Sequence, residues 1–148
     1  MDEFYMQEAL KEARLALEHD EVPIGAVIVQ GEKIIGRGHN RREMDLDPTA
    51  HAEIVAIRKA AASVNAWRLS NATMYVTIEP CSMCAGALVL ARIQRLVFGA
   101  KDPKAGAVGS VVNILEIPEL NHQIEYTGGV CEEECRSLLQ DFFKAKRL

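Results

Sequence analysis

Four side chains of this sequence have the types and spacing needed to hold a metal ion and to move a proton beside it. His51 and Glu53 are two positions apart, and Cys81 and Cys84 are three apart in the run Pro-Cys-Ser-Met-Cys. An imidazole and two thiols are donors that zinc accepts, and three protein donors leave a tetrahedral ion one position for water. Because an open position indicates catalysis, and because the glutamate offers a base that is not a ligand, these residues predict metal-assisted hydrolysis.

The spacing within each pair restricts the local structure that must carry it. If a helix begins at Cys81, this residue and Cys84 lie on nearly one face of its first turn and can share an ion. A separation of two would turn His51 and Glu53 to different sides of a regular helix. Side chains of a first turn lean towards the N-terminus, however, so one can bind an ion beyond that end while the other flanks it. We therefore predict a metal site at helix N-termini, whose partial positive charge favours thiolates.

Two alternatives stay open from the residues alone. Glu79 is a second carboxylate near the cysteines, but it ends a predicted strand before a proline, and we expect it to face away or to hold backbone. Cys131 and Cys135 could complete a four-cysteine structural zinc site, which would leave the histidine and the other glutamate without a role. We favour small buried thiols for that pair, since it is four residues apart on a predicted helix.

Length and composition predict one folded domain, residues 1–148. A chain of 148 residues is long enough for one hydrophobic core and too short for two. The net charge of −4 argues mildly against a strongly basic nucleic-acid surface, although the total does not exclude a local basic patch. The acidic first twenty residues do not resemble a signal peptide, and no apolar run could span a membrane. Four cysteines in two close pairs favour metal or free thiols, so we predict a cytoplasmic protein with no membrane partner.

Helices and strands alternate along the chain. Apolar residues at helical spacing predict helices at residues 2–19, 81–91 and 131–146, and a further helix entered through residues 47–49. Apolar and β-branched runs predict strands at residues 22–29, 33–39, 72–79, 95–100 and 123–126. Segments 40–49 and 101–109 are predicted loops, and residues 111–120 fit either a short helix or a strand. The alternation predicts a layered α/β sandwich, in which Gly25 marks a close approach of the first strand's backbone to a ligand.

Residues 47–53 and 77–87 contain the patterns H-x-E and P-C-x-x-C, and they resemble the cytidine deaminase superfamily. Bacterial guanine deaminases fit these two stretches almost as well. One departure is Ser82, where the family usually has a proline between the two cysteines. Because a serine there is not a ligand, the departure concerns the stiffness of the loop and leaves the metal assignment unchanged.

The segments that discriminate within the superfamily lie later in the chain. Residues 92–93, 97–110, 120–122 and 142–143 resemble bacterial tRNA adenosine deaminases, which convert the wobble adenosine of an arginine tRNA to inosine. The likeness extends over residues 5–147.

This resemblance implies a three-layer α/β/α sandwich with a five-stranded mixed sheet, as in cytidine deaminase. It implies one Zn²⁺ per subunit bound by His51, Cys81 and Cys84, a zinc-activated water, Glu53 as the proton shuttle, and no organic cofactor. It also implies a homodimer whose two subunits contact the anticodon stem-loop, and a pocket lined by residues 22–26. By the same analogy the substrate-binding residues are Asn40, Ala52, Asp102, Lys104 and Phe143.

The residues themselves carry a weaker indication of RNA binding. A base must leave its stack to reach a zinc pocket, which an unpaired anticodon loop makes easy. Basic residues should then surround the pocket, and the candidates are Arg37, Arg41, Arg42, Lys101, Lys104, Lys144, Lys146 and Arg147. The same charges could simply solubilise the surface, and one of the adjacent Phe142 and Phe143 should belong to the core. The alternatives to wobble deamination are a guanine or other nucleobase deaminase and a non-catalytic zinc-containing RNA-binding module.

Overall fold

A computed structural model describes residues 1–147 as a mixed sheet with helices on both faces. The helices are α1 (Asp2–Glu18), α2 (Arg42–Asp45), α3 (Ala52–Val64), α4 (Ser82–Ala91) and α5 (Glu132–Lys146). The strands are β1 (Gly25–Gln30), β2 (Lys33–His39), β3 (Ala72–Ile78), β4 (Arg95–Ala100) and β5 (Glu125–Thr127). Their order in the sheet is β2-β1-β3-β4-β5, with β1 antiparallel to both neighbours and the other pairs parallel. The three-layer sandwich with a five-stranded mixed sheet is therefore confirmed.

Strand β1 has an apolar core on each of its faces. Ala26 and Ile28 pack in the cluster that contains the inner faces of α3 and α4. Val27 and Val29 point the other way, into the cluster formed with α1. Successive side chains of a strand alternate between faces, and full burial of a valine or isoleucine contributes roughly 1.5–3 kcal/mol to stability. The continuous apolar run of β1 thus holds the helical layers together.

The carboxyl ends of three strands meet at one end of the sheet. Because β2 and β3 both run antiparallel to β1, and β4 runs parallel to β3, all three end on the same side. Asn40 directly follows β2, Cys81 is the third residue after β3, and Lys101 directly follows β4. Open α/β sheets bind ligands outside such strand ends. The fold therefore gathers segments far apart in sequence at the place where a site is expected.

Helix α3 begins later than the sequence predicts. The carboxylate of Asp47 accepts hydrogen bonds from the backbone N–H of Thr49 at 2.8 Å and from its hydroxyl at 2.7 Å. This tight turn satisfies the donors locally and delays the helix to Ala52. His51, rather than a residue of segment 47–49, is therefore the N-cap residue.

Two other segments contain more structure than predicted. Residues 40–49, a predicted loop, include the single turn of α2. Residues 111–120, which fitted either a helix or a strand, contain a 3₁₀ turn at Ile114–Glu116, where the side chain of Asn113 accepts the N–H of Leu115 at 3.1 Å. Within residues 1–147 no helix combines the length and apolar character needed to cross a bilayer.

Gly25 marks a close approach, but not to a ligand. A Cβ atom at this position would lie 2.1 Å from the carbonyl oxygen of Ala9 and 2.4 Å from the backbone nitrogen of Ala13. Both atoms belong to α1, which crosses β1 at this point. The prediction of a ligand contact was wrong, because the absent side chain makes room for a helix backbone.

Substituting Gly25 by alanine is expected to destabilise the protein by about 2 kcal/mol, since α1 must move away from β1. The matched control is Gly86→Ala inside α4, where an added Cβ meets nothing within 4 Å. That change should leave stability unchanged or raise it by about 0.5–1 kcal/mol through helix propensity. Thermal unfolding of the two variants beside the parent protein measures the difference, and equal midpoints would contradict the tight packing of α1.

Candidate metal centre and active site

Two helix N-termini carry the predicted metal donors. His51 is the N-cap of α3, with φ −75° and ψ 154°, and Cys81 is the N-cap of α4, with φ −75° and ψ 178°. Extended backbone at both caps lets these side chains reach beyond the ends of their helices. Cys84 lies in the first turn of α4 and is fully buried. The two helices thus bring one imidazole and two thiols together from segments 30 residues apart.

The spacing of the donor atoms suits a single tetrahedral ion. Nδ1 of His51 lies 3.7 Å from Sγ of Cys81 and 3.6 Å from Sγ of Cys84, and the three donor atoms all lie within 4.8 Å of one another. Zinc bonds of about 2.0–2.1 Å to nitrogen and about 2.3 Å to sulfur, at tetrahedral angles, require a nitrogen–sulfur separation of about 3.6 Å. Both nitrogen–sulfur separations therefore match those of a tetrahedral zinc site.

The four-cysteine alternative is wrong. Among residues 1–147 the group formed by His51, Cys81 and Cys84 is the only cluster of such donors that could hold an ion. Cys135 instead packs in the core beside α1, where its sulfur lies against Gly99. Cys131 is half-buried and accepts a long hydrogen bond from Gln7 at 3.7 Å. The prediction of a small buried thiol is therefore confirmed for Cys135, whereas Cys131 is only half-buried.

The surroundings of Cys81 favour its thiolate form. Hydrogen bonds from the thiol of Cys84 and from the ring of His51 lower the pKa of Cys81 to about 3. The position at the N-terminus of α4 acts in the same direction, because the helix dipole stabilises negative charge there. A deprotonated sulfur is the form that binds a metal ion.

Glu53 lies beside the donors and is closed off from bulk solvent. Its side chain sits in the first turn of α3 and is only 3 % exposed. Burial raises the pKa of this carboxyl to about 7. A carboxyl with such a pKa can both accept and release a proton near neutral pH, as general acid–base chemistry requires.

The rival carboxylate, Glu79, faces a different partner. It is 1 % exposed and accepts hydrogen bonds from the backbone N–H groups of Asp102 at 3.0 Å, Val108 at 2.9 Å and Ser110 at 3.0 Å. All of its named partners belong to the loop after β4. The prediction that Glu79 holds backbone is confirmed.

Asn40 and Ala52, both predicted to bind substrate, contact each other at the start of α3. The amide oxygen of Asn40 accepts the backbone N–H of Ala52 at 2.9 Å, and the asparagine is 4 % exposed. Because a backbone N–H can only donate, this bond determines which way the amide is turned. The NH₂ group of Asn40 therefore remains a donor beside the start of α3.

The other predicted substrate residues line a groove between α5 and the loop after β4. The groove has a volume of about 1050 Å³, and Asp102, Lys104 and Phe143 all lie on its wall. Phe143 is 46 % exposed, and its neighbour Phe142 is half-buried. Val22 and Ile24, which belong to the segment predicted to line the pocket, also line this groove.

The structure thus divides the predicted residues between two places. The metal donors, Glu53 and Asn40 form one cluster, and none of them is on the wall of the groove. The groove reaches Ile78 and Ala100 at the ends of β3 and β4, and Ile78 precedes Cys81 by three residues. The cluster and the groove therefore open from the same end of the sheet.

Only part of the predicted basic set lies on the wall of the groove. Arg37 pairs with Glu8 at 2.5 Å and Glu12 at 3.4 Å, where it fastens α1 to β2. Arg41 pairs with Asp45 at 3.0 Å. These ion pairs give Arg37 a structural role, and its contact with RNA stays a prediction. The basic groups on the groove wall are Lys101, Lys104, Arg136, Lys144, Lys146 and Arg147. Of these, Lys146 pairs with Asp20 at 2.5 Å and Arg136 pairs with Glu132 at 2.9 Å.

Sequence reasoning missed Glu21. Its side chain is 2 % exposed, and its carboxylate accepts the backbone N–H of Met44 in α2 at 2.7 Å. The contact fastens the segment after Asn40 to the loop that enters β1. The only signal in the sequence was an acid directly before an apolar strand, which does not distinguish a buried carboxylate from a solvated one.

These features indicate a hydrolytic deaminase. Proteins of this class combine such a donor cluster and a neighbouring carboxylate at the end of such a sheet. In agreement, the family model of MafB19-like deaminases matches residues 1–147. The tRNA-specific adenosine deaminase of Bacillus subtilis (strain 168) is 52% identical over 146 residues, which is 99% of this chain and 91% of that protein. The chain therefore belongs to the family of bacterial tRNA-specific adenosine deaminases, as the resemblance implied.

Solved structures agree at two levels. A structure from a study of A-to-I editing by tRNA:A34 deaminases at the wobble position superposes with a TM-score of 0.89 and 48% identity, covering 92% of this chain and 99% of that one. The guanine deaminase of Nitrosomonas europaea superposes with a TM-score of 0.77 at 23% identity, covering 95% of this chain and 83% of that one. The second likeness concerns the fold alone.

Proposed function

We propose that this protein hydrolyses the wobble adenosine in the anticodon loop of an arginine tRNA to inosine, with release of ammonia. The observation that carries the chemistry is the pairing of a three-donor cluster within 4.8 Å with the buried carboxyl of Glu53. The choice of substrate is supported by relatives named tRNA-specific adenosine deaminase at 46–52% identity.

We assign one Zn²⁺ per subunit to His51, Cys81 and Cys84. When bound, zinc supplies Lewis acidity that lowers the pKa of a water molecule to about 7. The residues fit this ion because the separations of one imidazole and two sulfurs suit it, and three protein donors would leave a coordination position for water. An organic cofactor is not needed, since hydrolysis transfers no electrons.

Glu53 is the proton shuttle in this proposal. Its carboxylate accepts the proton that the attacking water gives up, and then delivers it to the ring nitrogen of the purine. The hydroxyl group that the water has left on the purine then gives up its own proton, which follows the same path to the exocyclic amine. The C–N bond breaks, ammonia leaves, and the hydroxyl oxygen becomes the carbonyl oxygen of inosine. The pKa raised to about 7 by burial suits both directions of transfer.

Asn40 and the groove supply recognition. The amide of Asn40, turned by its bond to Ala52, presents a donor to a nucleoside that has left its stack. The groove with Asp102, Lys104 and Phe143 gives the flanking nucleotides a basic wall and one exposed aromatic ring. We also propose a homodimer in which both subunits contact the stem-loop, and a cytoplasmic location, where tRNA is found.

The direct test is incubation of the zinc-loaded protein with a synthetic arginine-tRNA anticodon stem-loop, followed by nucleoside analysis. Inosine is expected at the wobble position. A stem-loop with guanosine there is the matched control, and free guanine is assayed beside it as the alternative substrate. Guanine deamination without inosine would instead indicate the nucleobase deaminase. Tight binding with no product from either substrate would indicate the non-catalytic zinc-containing RNA-binding module.

A further inference from the structure

A buried carboxylate outside the metal cluster organises one wall of the groove. Glu79 accepts from three backbone N–H groups, those of Asp102, Val108 and Ser110, and also from the hydroxyl of Ser110. Four donors on one side chain saturate most of the acceptor capacity of a carboxylate. Such charge-assisted hydrogen bonds are stronger than neutral ones, so the loop 102–110 is held to this group at both of its ends.

The loop is shaped to enclose that carboxylate. A Cβ atom at Gly106 would lie 2.3–2.5 Å from the carboxyl atoms of Glu79, so no larger residue fits in the middle of the loop without displacing it. The N–H of the next residue, Ala107, donates to the carbonyl of Pro80 at 2.8 Å. The loop therefore wraps around Glu79 and rests on the residue that precedes Cys81.

The same loop carries the groove residues Asp102 and Lys104. The carboxylate of Asp102 accepts the N–H groups of Lys104 at 3.1 Å and Ala105 at 3.2 Å, which forms a tight turn at the groove. This turn begins where the backbone of Asp102 donates to Glu79. The position of the turn is thus set by a side chain only two residues before a metal donor.

We propose that Glu79 is a positioning residue for RNA recognition: it holds loop 102–110 so that Asp102 and Lys104 meet the nucleotides beside the reacting base. The inference rests on the proposed function and assigns to Glu79 a part in substrate affinity, with none in proton transfer. Glu79 lies two residues before Cys81 and holds the turn that begins at Asp102. It would thereby keep the wall of the groove at a fixed distance from the metal donors. A loop released from Glu79 would bind the same RNA less tightly while the metal donors stay in place.

The variant Glu79→Gln tests this in the zinc-loaded full chain. A glutamine keeps the size but turns an NH₂ group towards N–H donors, so at least one of the loop's hydrogen bonds is lost. We expect KM for the anticodon stem-loop to rise about 10-fold, kcat to stay within about 3-fold, and the zinc content to be unchanged. Amide hydrogen exchange at Asp102, Val108 and Ser110 should become faster in the same variant.

Glu12→Gln is the matched control. Glu12 is also buried, but it lies in α1 and pairs with Arg37 of β2 rather than with loop 102–110. Its KM should equal that of the parent protein. Ser110→Ala keeps the carboxylate and removes one donor, so a KM rise of about 2–3-fold is expected, and this variant carries the test if Glu79→Gln does not fold.

An unchanged KM in Glu79→Gln, or a fall in kcat alone, would overturn the inference, because a merely destabilised protein loses active enzyme without losing affinity. Loss of zinc from Glu79→Gln would also overturn it, since the role would then be support of the metal site. If the parent protein forms no inosine, the proposed function fails and this role in RNA binding fails with it. Inosine formation by the parent with an unchanged KM in the variant defeats the inference alone.

Discussion

Replacement of Glu53 by glutamine is expected to lower the rate of deamination about 10²–10⁴-fold while zinc and fold are retained. The amide has nearly the same size as the carboxyl and occupies the same closed position, 3 % exposed in the first turn of α3. It cannot carry a proton between water and purine. Because the proposed ligands are His51 and the two cysteines, binding of the ion would not require the carboxylate.

Single-turnover rates on the anticodon stem-loop, with zinc content and thermal midpoint measured on the same samples, separate these effects. Glu53→Ala should likewise keep zinc and fold and lose turnover. A metal-loaded Glu53 variant with near-parental turnover would refute the assignment of the proton shuttle. Loss of zinc together with activity would instead place Glu53 among the ligands.

Removal of one metal donor is expected to abolish both zinc binding and activity. Cys84 is fully buried, and its Sγ lies 3.6 Å from Nδ1 of His51. Cys84→Ala therefore leaves only two of the three donors. Zinc per chain should fall from about one to near zero, because two protein donors are fewer than the three of the usual catalytic zinc site. The thermal midpoint should also fall, since an ion that binds only the folded state stabilises it.

The control for this experiment is another buried thiol in the same chain. Cys135 is 1 % exposed but lies in the α1-side core, away from the donors. Cys135→Ala should keep one zinc per chain and full turnover, with at most a modest loss of stability. Retention of zinc in Cys84→Ala would contradict the three-donor assignment.

The candidate metal centre could be predicted from the sequence because it depends on spacings of only a few residues. A separation of three residues places two thiols on the first turn of one helix, and the H-x-E spacing is compatible with a second helix N-terminus. The burial of β1 on both faces could also be predicted, since such a strand needs apolar residues at nearly every position. These inferences depend on neighbours within a few residues, which a sequence displays directly.

Contacts between distant residues were not readable in this way. Gly25 was expected to meet a ligand and meets α1, and Arg37 was expected to meet RNA and meets two glutamates. Nothing near either residue in the chain indicates its partner. The burial of Glu21 is a similar case, because the pairing of its carboxylate with Met44 depends on two loops that only the folded sheet brings together.

By itself, the sequence determined the candidate donors, the candidate base and the alternation of helices and strands, because these follow from residue type and from spacings of two, three and four positions. Only the tertiary structure decided that Glu53 is sealed from solvent, that Glu79 serves the loop rather than the ion, and that Asp102, Lys104 and Phe143 share one groove. The reason is physical: burial, charge pairing and the shape of a cavity are properties of surfaces in contact, and those surfaces exist only after segments far apart in the chain have packed.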